Sequence, residues 1–234
     1  MYPGLLRESL RVMRKISFLS IVVLVLVITL NDSVFARNEF SPQGQTQCVA
    51  PHVVMIRGVG GYWPKVDHLA EGVMQQGMTV SIHHPYTAIK KAGQIACYCR
   101  ENTPGQSVNI IAYSLGCDAA IVLCQKLEEM GMCVDSMILI ETTFCKNEVP
   151  GNVRYCFNLY EERGLKDRIP IFRGVPLQAS NCSTVMINAE LKSTCLPARK
   201  ITHFNIASKN VTHELVLEKL LSCHYWNNGW HCCE

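Results

Sequence analysis

The sequence predicts an α/β fold in which a mostly parallel central sheet is covered by helices on both faces. Short apolar, β-branched segments alternate along the chain with segments of helical spacing, as in strand–helix–strand units. Hydrophobic residues make up 48% of the 234 residues and charged residues only 18%, which suits a packed core and disfavours long-range disorder. We therefore expect right-handed connections between the strands, with ligands bound at their carboxyl ends.

Apolar runs that are short and bounded by turn residues are predicted to be strands. In chain order they are residues 52–56, 78–82, 108–113, 134–140, 152–160 and 184–189. The runs before residue 141 are nearly continuous in apolar character, which is typical of strands buried on both faces. After that point the alternation weakens, and residues 161–183, rich in charge, Gly and Pro, are predicted to form a loop.

Helices are predicted where apolar residues recur with a period near that of an α-helix. These segments are residues 64–76, 87–101, 115–130 and 209–222. Gly77 and Gly131 follow the first and third segments, where a glycine commonly ends a helix. The turn sequence "NTPGQS" ends the second one.

Residues 1–36 are predicted to be a signal peptide. A basic stretch ending in "RVMRK" precedes "ISFLSIVVLVLVITL", an apolar run that suits a signal-peptide core and is short for a membrane span. Val34 and Ala36 occupy the positions where signal peptidase needs small residues. We expect cleavage after Ala36, a secreted or periplasmic protein, and membrane contact through this segment only. An uncleaved membrane anchor is the alternative.

The remaining chain is predicted to hold one α/β domain, residues 37–222, and a tail rich in cysteine and aromatic residues, 223–234. Its charge is nearly balanced, because residues 1–36 hold 4 of the 22 basic and 2 of the 19 acidic residues and leave 18 against 17. No basic stripe with interleaved aromatic residues is present in the sequence. Nucleic-acid binding is therefore not expected.

All 13 cysteines lie after residue 36, which is many for a cytosolic domain and favours export with disulfide bonds. Cys117, Cys124 and Cys156 fall in apolar periodic segments, where buried free thiols are the simpler interpretation. Cys97-Tyr-Cys99 is too close for zinc-type spacing and no C-x-x-C occurs, so we expect neither a metal nor a cofactor. A disulfide-stabilised surface protein remains an alternative.

The stretch "VNIIAYSLGCDAA", residues 108–120, sets a single serine between a predicted strand and a predicted helix. Ser114 should therefore lie at a sharp turn at the carboxyl end of a strand, with the small residues Ala112 and Gly116 relieving the crowding. This arrangement resembles the nucleophile elbow G-x-S-x-G of the α/β-hydrolase superfamily, with Ala112 in place of the first glycine. The resemblance implies that Ser114 is a catalytic nucleophile.

The glycine-rich segment Arg57-Gly-Val-Gly-Gly61 directly follows the first predicted strand. It resembles the H-G-x-G-G loop of lipases and esterases in the same superfamily, with Arg57 where the family usually has histidine. The resemblance implies that the amides of Val59 and Leu115 form an oxyanion hole. Leu115 begins a predicted helix, whose dipole favours negative charge at that end.

The superfamily orders its catalytic residues as serine, acid and histidine, with the histidine between the last strand and the last helix. "ITHFNI", residues 201–206, precedes the last predicted helix and resembles the H-F-x-I stretch often found there, so His203 is the predicted base. Two acids remain open. Glu141 ends the strand 134–140, which would fix its position, whereas Glu161 follows the next strand, the usual place for the acid.

The resemblance covers about residues 51–222 and is closest to small lipase-like and thioesterase-like bacterial members, which implies a minimal α/β-hydrolase fold without a large lid. We predict an exported serine hydrolase that cleaves small-molecule or lipid carboxylic esters or thioesters through an acyl-enzyme. The alternative is a catalytically silent hydrolase-like domain that binds a ligand or a protein partner. Arg57 and the unusual tail motivate that alternative.

Overall fold

The computed structural model describes residues 50–143, 147–161, 174–193 and 201–227, without the side chains of residues 104 and 223–227. The predicted signal peptide lies outside these ranges, as do residues 228–234 of the predicted tail, and both stay predictions. Within the described ranges, no helix combines the length and the apolar character that crossing a membrane requires.

The central sheet contains six described strands, and every neighbouring pair is parallel. They are β1 (His52–Ile56), β2 (Thr79–His83), β3 (Val108–Tyr113), β4 (Val134–Ile140), β6 (Val153–Tyr160) and β8 (Val185–Glu190). Their order across the sheet is β2-β1-β3-β4-β6-β8. Two short strands, β5 (Glu148–Val149) and β7 (Gln178–Ala179), form a separate parallel pair. Because β1, β3 and β4 are adjacent, the loops that follow them meet at one edge.

Helices cover both faces of this sheet. One face packs against α2 (Pro85–Lys90), α3 (Ala92–Asn102) and α4 (Leu115–Glu129). The other packs against α1 (Val66–Gln75) and α5 (Asn210–Asn227). The α/β class and the parallel sheet predicted from the sequence are therefore confirmed.

Successive side chains of the central strands contribute to two separate cores. In β1, Val54 and Ile56 pack on the α2–α4 side, and Val53 and Met55 pack on the α1 and α5 side; all four are fully buried. Burying a side chain of this size stabilises the fold by roughly 1.5–3 kcal/mol relative to leaving it exposed. The continuous apolar run in the sequence thus reflects a strand with no solvent-facing side.

The observed elements differ from the predicted ones in a few places. The predicted helix 87–101 is two helices, α2 and α3, separated at Lys91. Pro85 opens α2, since a residue without an amide hydrogen suits the first turn. The pair β5 and β7 was not predicted, because strands of two residues leave no periodic signal. Residues 162–173 of the predicted loop and residues 194–200 lie outside the described ranges. The prediction that the fold has no large lid concerns these residues in part, and it stays a prediction.

Candidate active site

Ser114 forms the turn between β3 and α4. Its backbone angles, φ 56° and ψ −127°, lie in a region that residues with a side chain rarely adopt, which costs roughly 1–3 kcal/mol. Its amide donates to the carbonyl of Ile140 at 2.9 Å, and its own carbonyl accepts from the amide of Cys117 at 2.8 Å. These two hydrogen bonds fix the strained turn between β4 and the first turn of α4.

The crowding expected around this turn is visible at two glycines. A Cβ atom on Gly116 would lie 2.4 Å from the carbonyl oxygen of Ile56 and 2.5 Å from that of Arg57. A Cβ atom on Gly58 would lie 3.2 Å from the Cβ of Ser114. The first turn of α4 therefore packs directly against the end of β1, which explains why the second position after the serine must be glycine.

Three residues singled out in the sequence form one hydrogen-bonded chain. The Oγ of Ser114 lies 2.9 Å from the Nε2 of His203, and the Nδ1 of His203 lies 3.1 Å from the Oε2 of Glu141. Ser114 and His203 are 4% and 5% exposed, and Glu141 is fully buried. Since a carboxylate accepts, the Nδ1 of His203 carries the proton and its Nε2 presents a lone pair to the serine hydroxyl.

Glu141 directly follows β4, the strand next to β3. It has a positive φ of 59°, and its amide donates to the carbonyl of Leu159 in β6 at 2.8 Å. The other candidate acid, Glu161, follows β6, one strand further from Ser114, and is partly exposed. The carboxylate in contact with His203 is that of Glu141.

A polar network that sequence analysis missed begins at Thr142, the residue after Glu141, and crosses the sheet from buried Thr142 and Asn158 to exposed Asn188. The hydroxyl of Thr142 donates to the side-chain oxygen of Asn158 at 3.0 Å. The amide group of Asn158 donates to the side-chain oxygen of Asn188 at 2.9 Å and to the carbonyl of Val175 at 2.8 Å. Asn158 and Asn188 are register partners in β6 and β8, so the network fixes the carboxyl ends of three strands. The two asparagines within otherwise apolar predicted strands were the feature of the sequence from which this network could have been predicted.

The loop that carries His203 is attached to β3 by the residue that precedes the nucleophile. The hydroxyl of Tyr113 donates to the backbone carbonyl of His203 at 2.5 Å, in a fully buried setting. The Tyr113 ring also lies 5.6 Å from the imidazole of His203 and 5.8 Å from the ring of Trp63. The position of the imidazole relative to Ser114 thus depends directly on Tyr113.

Two further aromatic side chains hold the same loop from the end of β1. The hydroxyl of Tyr62 donates to the carbonyl of Phe204 at 3.1 Å, and the indole of Trp63 donates to the carbonyl of Ala207 at 2.9 Å. Both donors follow the glycine-rich segment predicted to supply an oxyanion donor. This segment and the histidine loop are therefore fixed relative to each other.

The segment 57–61 ends in a single turn of 3-10 helix, Val59–Gly61, as a tight loop after β1. Gly61 has a φ of 76°, and a Cβ atom there would lie 2.2 Å from the imidazole of His84. Leu115 is the first residue of α4, so its amide has no partner within the helix. The candidate oxyanion donors, Val59 and Leu115, thus lie on two segments that both pack against the Ser114 turn.

Arg57 occupies the position where the resembled loop usually has histidine. Its amide donates to the carbonyl of His83 at 2.9 Å, which joins the loop to β2. Its guanidinium lies 3.8 Å from the carboxylate of Asp67, whose side chain is 81% exposed. A pair this exposed contributes little to stability. Arg57 in place of histidine thus keeps the backbone hydrogen bond of the loop and adds a positive charge next to the loop.

Two histidines that precede the serine form a separate cluster at the edge of the sheet. The Nε2 atoms of His52 and His83 lie 2.9 Å and 3.0 Å from the hydroxyl of Ser81, and the Nδ1 of His52 lies 2.8 Å from that of Thr79. Burial lowers the pKa of each imidazole to about 4. At His52 the nearby His83 lowers the pKa further, and at His83 the charge of Lys91 does so. Both rings are therefore neutral at pH 7.

The expectation of disulfide bonds is not met by the seven cysteines whose side chains the structure describes, which are all free. Cys99, Cys117, Cys124 and Cys156 are buried, and burial raises the pKa of each of these thiols, to about 12 for Cys99. These side chains act as small hydrophobic groups in the core. Among the described residues, no three His, Cys, Asp or Glu side chains are grouped so that they could hold a metal ion.

Comparison with known proteins gives matches at the level of structure only. No family model and no curated protein sequence matches the chain. The type II thioesterase BorB from the borrelidin biosynthetic cluster has a TM-score of 0.41 and 10% identity, covering 78% of this chain and 96% of its own. The thioesterase RedJ from the prodiginine pathway of Streptomyces coelicolor has a TM-score of 0.45 and 9% identity, with coverages of 82% and 98%.

A hydrolase of the alpha/beta superfamily from Xanthomonas campestris has a TM-score of 0.36 and 16% identity, covering 72% of this chain and 99% of its own. All these TM-scores are low. The fold is defined instead by the six-stranded parallel sheet and by the strained serine turn after its third strand. The chain has an α/β-hydrolase fold.

The His52–His83 cluster predicts a loss of stability in mild acid. In the unfolded chain a histidine titrates near pH 6.5, about 2.5 pH units above these folded values, so the unfolded state binds protons first as the pH falls. Protonation of these two histidines should not change the free energy of unfolding above about pH 6.5. Between about pH 6.5 and 4 it should lower that free energy, by at most roughly 3 kcal/mol for each histidine. Urea unfolding at a series of pH values measures this.

The double variant His52→Gln/His83→Gln is the control for that measurement, because glutamine keeps hydrogen-bonding capacity without titrating. Its stability should vary less with pH over the same interval. An equal pH dependence in the two proteins would assign the acid sensitivity to other groups.

Proposed function

We propose that this chain is an exported serine hydrolase that cleaves carboxylic esters or thioesters by way of an acyl-enzyme. The observation that carries the proposal is the hydrogen-bonded chain from Ser114 through His203 to Glu141, buried at the carboxyl edge of the sheet. A hydroxyl, an imidazole and a carboxylate in this order form the arrangement that activates a serine nucleophile.

In the first step, the Nε2 of His203 takes the hydroxyl proton of Ser114 as the Oγ attacks the carbonyl carbon of the substrate. Glu141 holds the proton on Nδ1 and stabilises the imidazolium that forms. The bond to the alcohol or thiol leaving group then breaks, and the imidazolium returns its proton to that group. The acyl group remains on the Oγ of Ser114.

The tetrahedral intermediate carries a negative oxygen that needs hydrogen-bond donors. The amides of Leu115 and Val59 supply them in this proposal, and the N-terminus of α4 adds a favourable dipole. In the second step, water gives a proton to His203 and attacks the acyl-enzyme. The acid product leaves and the hydroxyl of Ser114 is restored.

Exposed apolar side chains beside the site support an acyl group as the part of the substrate that binds there. Tyr62, Leu115 and Phe204 are 44%, 38% and 50% exposed, although each is large and apolar. Leu115 follows the nucleophile and Phe204 follows the base, and the rings of Tyr62 and Phe204 meet edge to face at 6.2 Å. Apolar surface next to a reactive serine favours the binding of hydrocarbon over that of charged groups.

The export part of the proposal depends on residues 1–36, with their basic start, apolar core and small residues before position 37. The cysteines do not add to it, because the seven whose side chains the structure describes are free and most of them serve the core.

A serine-directed fluorophosphonate probe tests the catalytic proposal directly. The folded protein should be labelled, and Ser114→Ala should lose both labelling and ester turnover, the latter by roughly 10⁴-fold or more. Ser180→Ala, at an exposed serine, is the matched control and should behave as wild type. Folded wild-type protein that is not labelled would instead favour the catalytically silent binding domain.

Replacing the candidate acids tests which one supports His203. Glu141→Gln keeps the size of the side chain and removes its charge, so ester turnover should fall by roughly 10²–10⁴-fold. Glu161→Gln should change turnover less than about 3-fold, since its effect is that of a surface substitution. Steady-state kinetics of both variants, with circular dichroism to establish folding, make the comparison. Equal small losses would mean that the acid lies elsewhere.

Removing one hydroxyl tests whether Tyr113 positions the base. Tyr113→Phe retains the ring contacts with His203 and Trp63 and deletes the hydrogen bond to the His203 carbonyl. We expect kcat to fall by about 10-fold to 100-fold with little change in KM, because a misplaced imidazole slows proton transfer without altering the acyl site. Tyr98→Phe on α3 is the control. An unchanged kcat would contradict the positioning role.

A further inference from the structure

A second pair of imidazoles joins helices α1 and α5, apart from the Ser114–His203 contact. The Nδ1 atoms of His68 on α1 and His213 on α5 lie 3.4 Å apart, with ring centroids at 5.6 Å and an interplanar angle of 32°. His68 is exposed, whereas His213 is 4% exposed. Neither residue takes part in the proposed hydrolysis.

The proton on His213 is fixed by its second ring nitrogen. The Nε2 of His213 lies 2.9 Å from the backbone carbonyl of Ala207, and a carbonyl only accepts. The neutral ring therefore carries its proton on Nε2 and a lone pair on Nδ1. That lone pair lies on the atom nearest to the ring of His68.

Geometry keeps this lone pair in place. The His213 ring is 4% exposed, and its Nε2 lies 2.9 Å from the carbonyl of Ala207, which holds the proton on that nitrogen. A ligand nitrogen that is not protonated binds a metal ion without first releasing a proton. The ring is thus already in the form that coordinates metal.

The spacing of the two nitrogens matches the requirement of a tetrahedral metal ion. Imidazole nitrogens bind zinc at about 2.0–2.1 Å, so two of them in a tetrahedral site lie about 3.3–3.4 Å apart. The Nδ1 atoms of His68 and His213 are separated by 3.4 Å. The hydrogen bond from the Nε2 of His213 to a backbone carbonyl is also the outer contact that metal-bound histidines usually make.

We propose that His68 and His213 bind a divalent transition-metal ion of the zinc type through their Nδ1 atoms, with water completing the coordination. The exposed side of His68 gives the ion access to solvent. Within the described ranges no third His, Cys, Asp or Glu joins the pair, so water occupies the other positions and the site binds metal reversibly. The nearby charge of Lys65 weakens the binding further.

This site is linked to the histidine loop of the proposed active site. The carbonyl of Ala207 accepts from both His213 and the indole of Trp63, four residues after His203. A metal ion on Nδ1 makes the Nε2 proton of His213 more acidic and strengthens its hydrogen bond to Ala207. Bound metal should therefore stabilise the segment that carries His203.

Zinc titration calorimetry on the full chain tests the site, with His68→Ala as the main variant because His68 is exposed and its loss should not disturb folding. Wild type should bind Zn²⁺, and His68→Ala should bind at least about 10-fold more weakly, which is the expected effect of losing a direct ligand. Glu71→Ala, an exposed residue one turn further along α1, is the matched control and should bind as wild type. Zn²⁺ should also raise the melting temperature of wild type more than that of His68→Ala.

Equal zinc affinity in wild type and His68→Ala would overturn the proposal and assign the metal to groups elsewhere in the chain. Absence of zinc binding in wild type would also overturn it and leave the pair as an N–H···N contact. The same titration on Ser114→Ala should give the wild-type affinity whether or not the chain is a hydrolase. The two proposals therefore fail independently.

Discussion

The close approach of α4 to the end of β1 is the constraint on which the site depends. Because Gly116 lies against the carbonyls of β1, the chain must turn within a single residue, and Ser114 takes the strained backbone conformation. Such strain persists only where the surroundings over-determine it. Here the largely buried strands on either side, β1 and β4, hold both ends of the turn.

The other groups of the site are arranged around this fixed point by the order of the strands. The sheet sets β1 and β4 on either side of β3, so the glycine-rich loop and Glu141 flank the serine turn. His203 lies before α5, in residues 201–209, where the structure describes no strand. It is positioned by hydrogen bonds from Tyr113, Trp63 and Tyr62, each an apolar ring that carries one donor. The position of the His203 side chain is therefore fixed by residues on, or directly following, rigid strands of the sheet.

Local patterns in the sequence predicted the sheet and its helices, because buried strands and amphipathic helices leave periodic signals. Ser114 could be singled out from its small neighbours, His203 from its place before the last helix, and Glu141 from a strand end. The contact of Tyr113 with His203 and that of His68 with His213 could not be predicted from local patterns, since these residues are 90 and 145 positions apart in the chain. Cysteine content was misleading for the described part of the chain, because a thiol suits a hydrophobic core as well as a disulfide.

Ser114 and Glu141 both have positive φ angles without being glycine, and the amide of one bonds to the carbonyl that precedes the other. Glycine at either position would relax the backbone and abolish the functional side chain. Laboratory evolution toward heat resistance, run without a screen for turnover, would therefore enrich glycine at these two sites. Thermostability and chemistry make opposite demands on the same pair of residues.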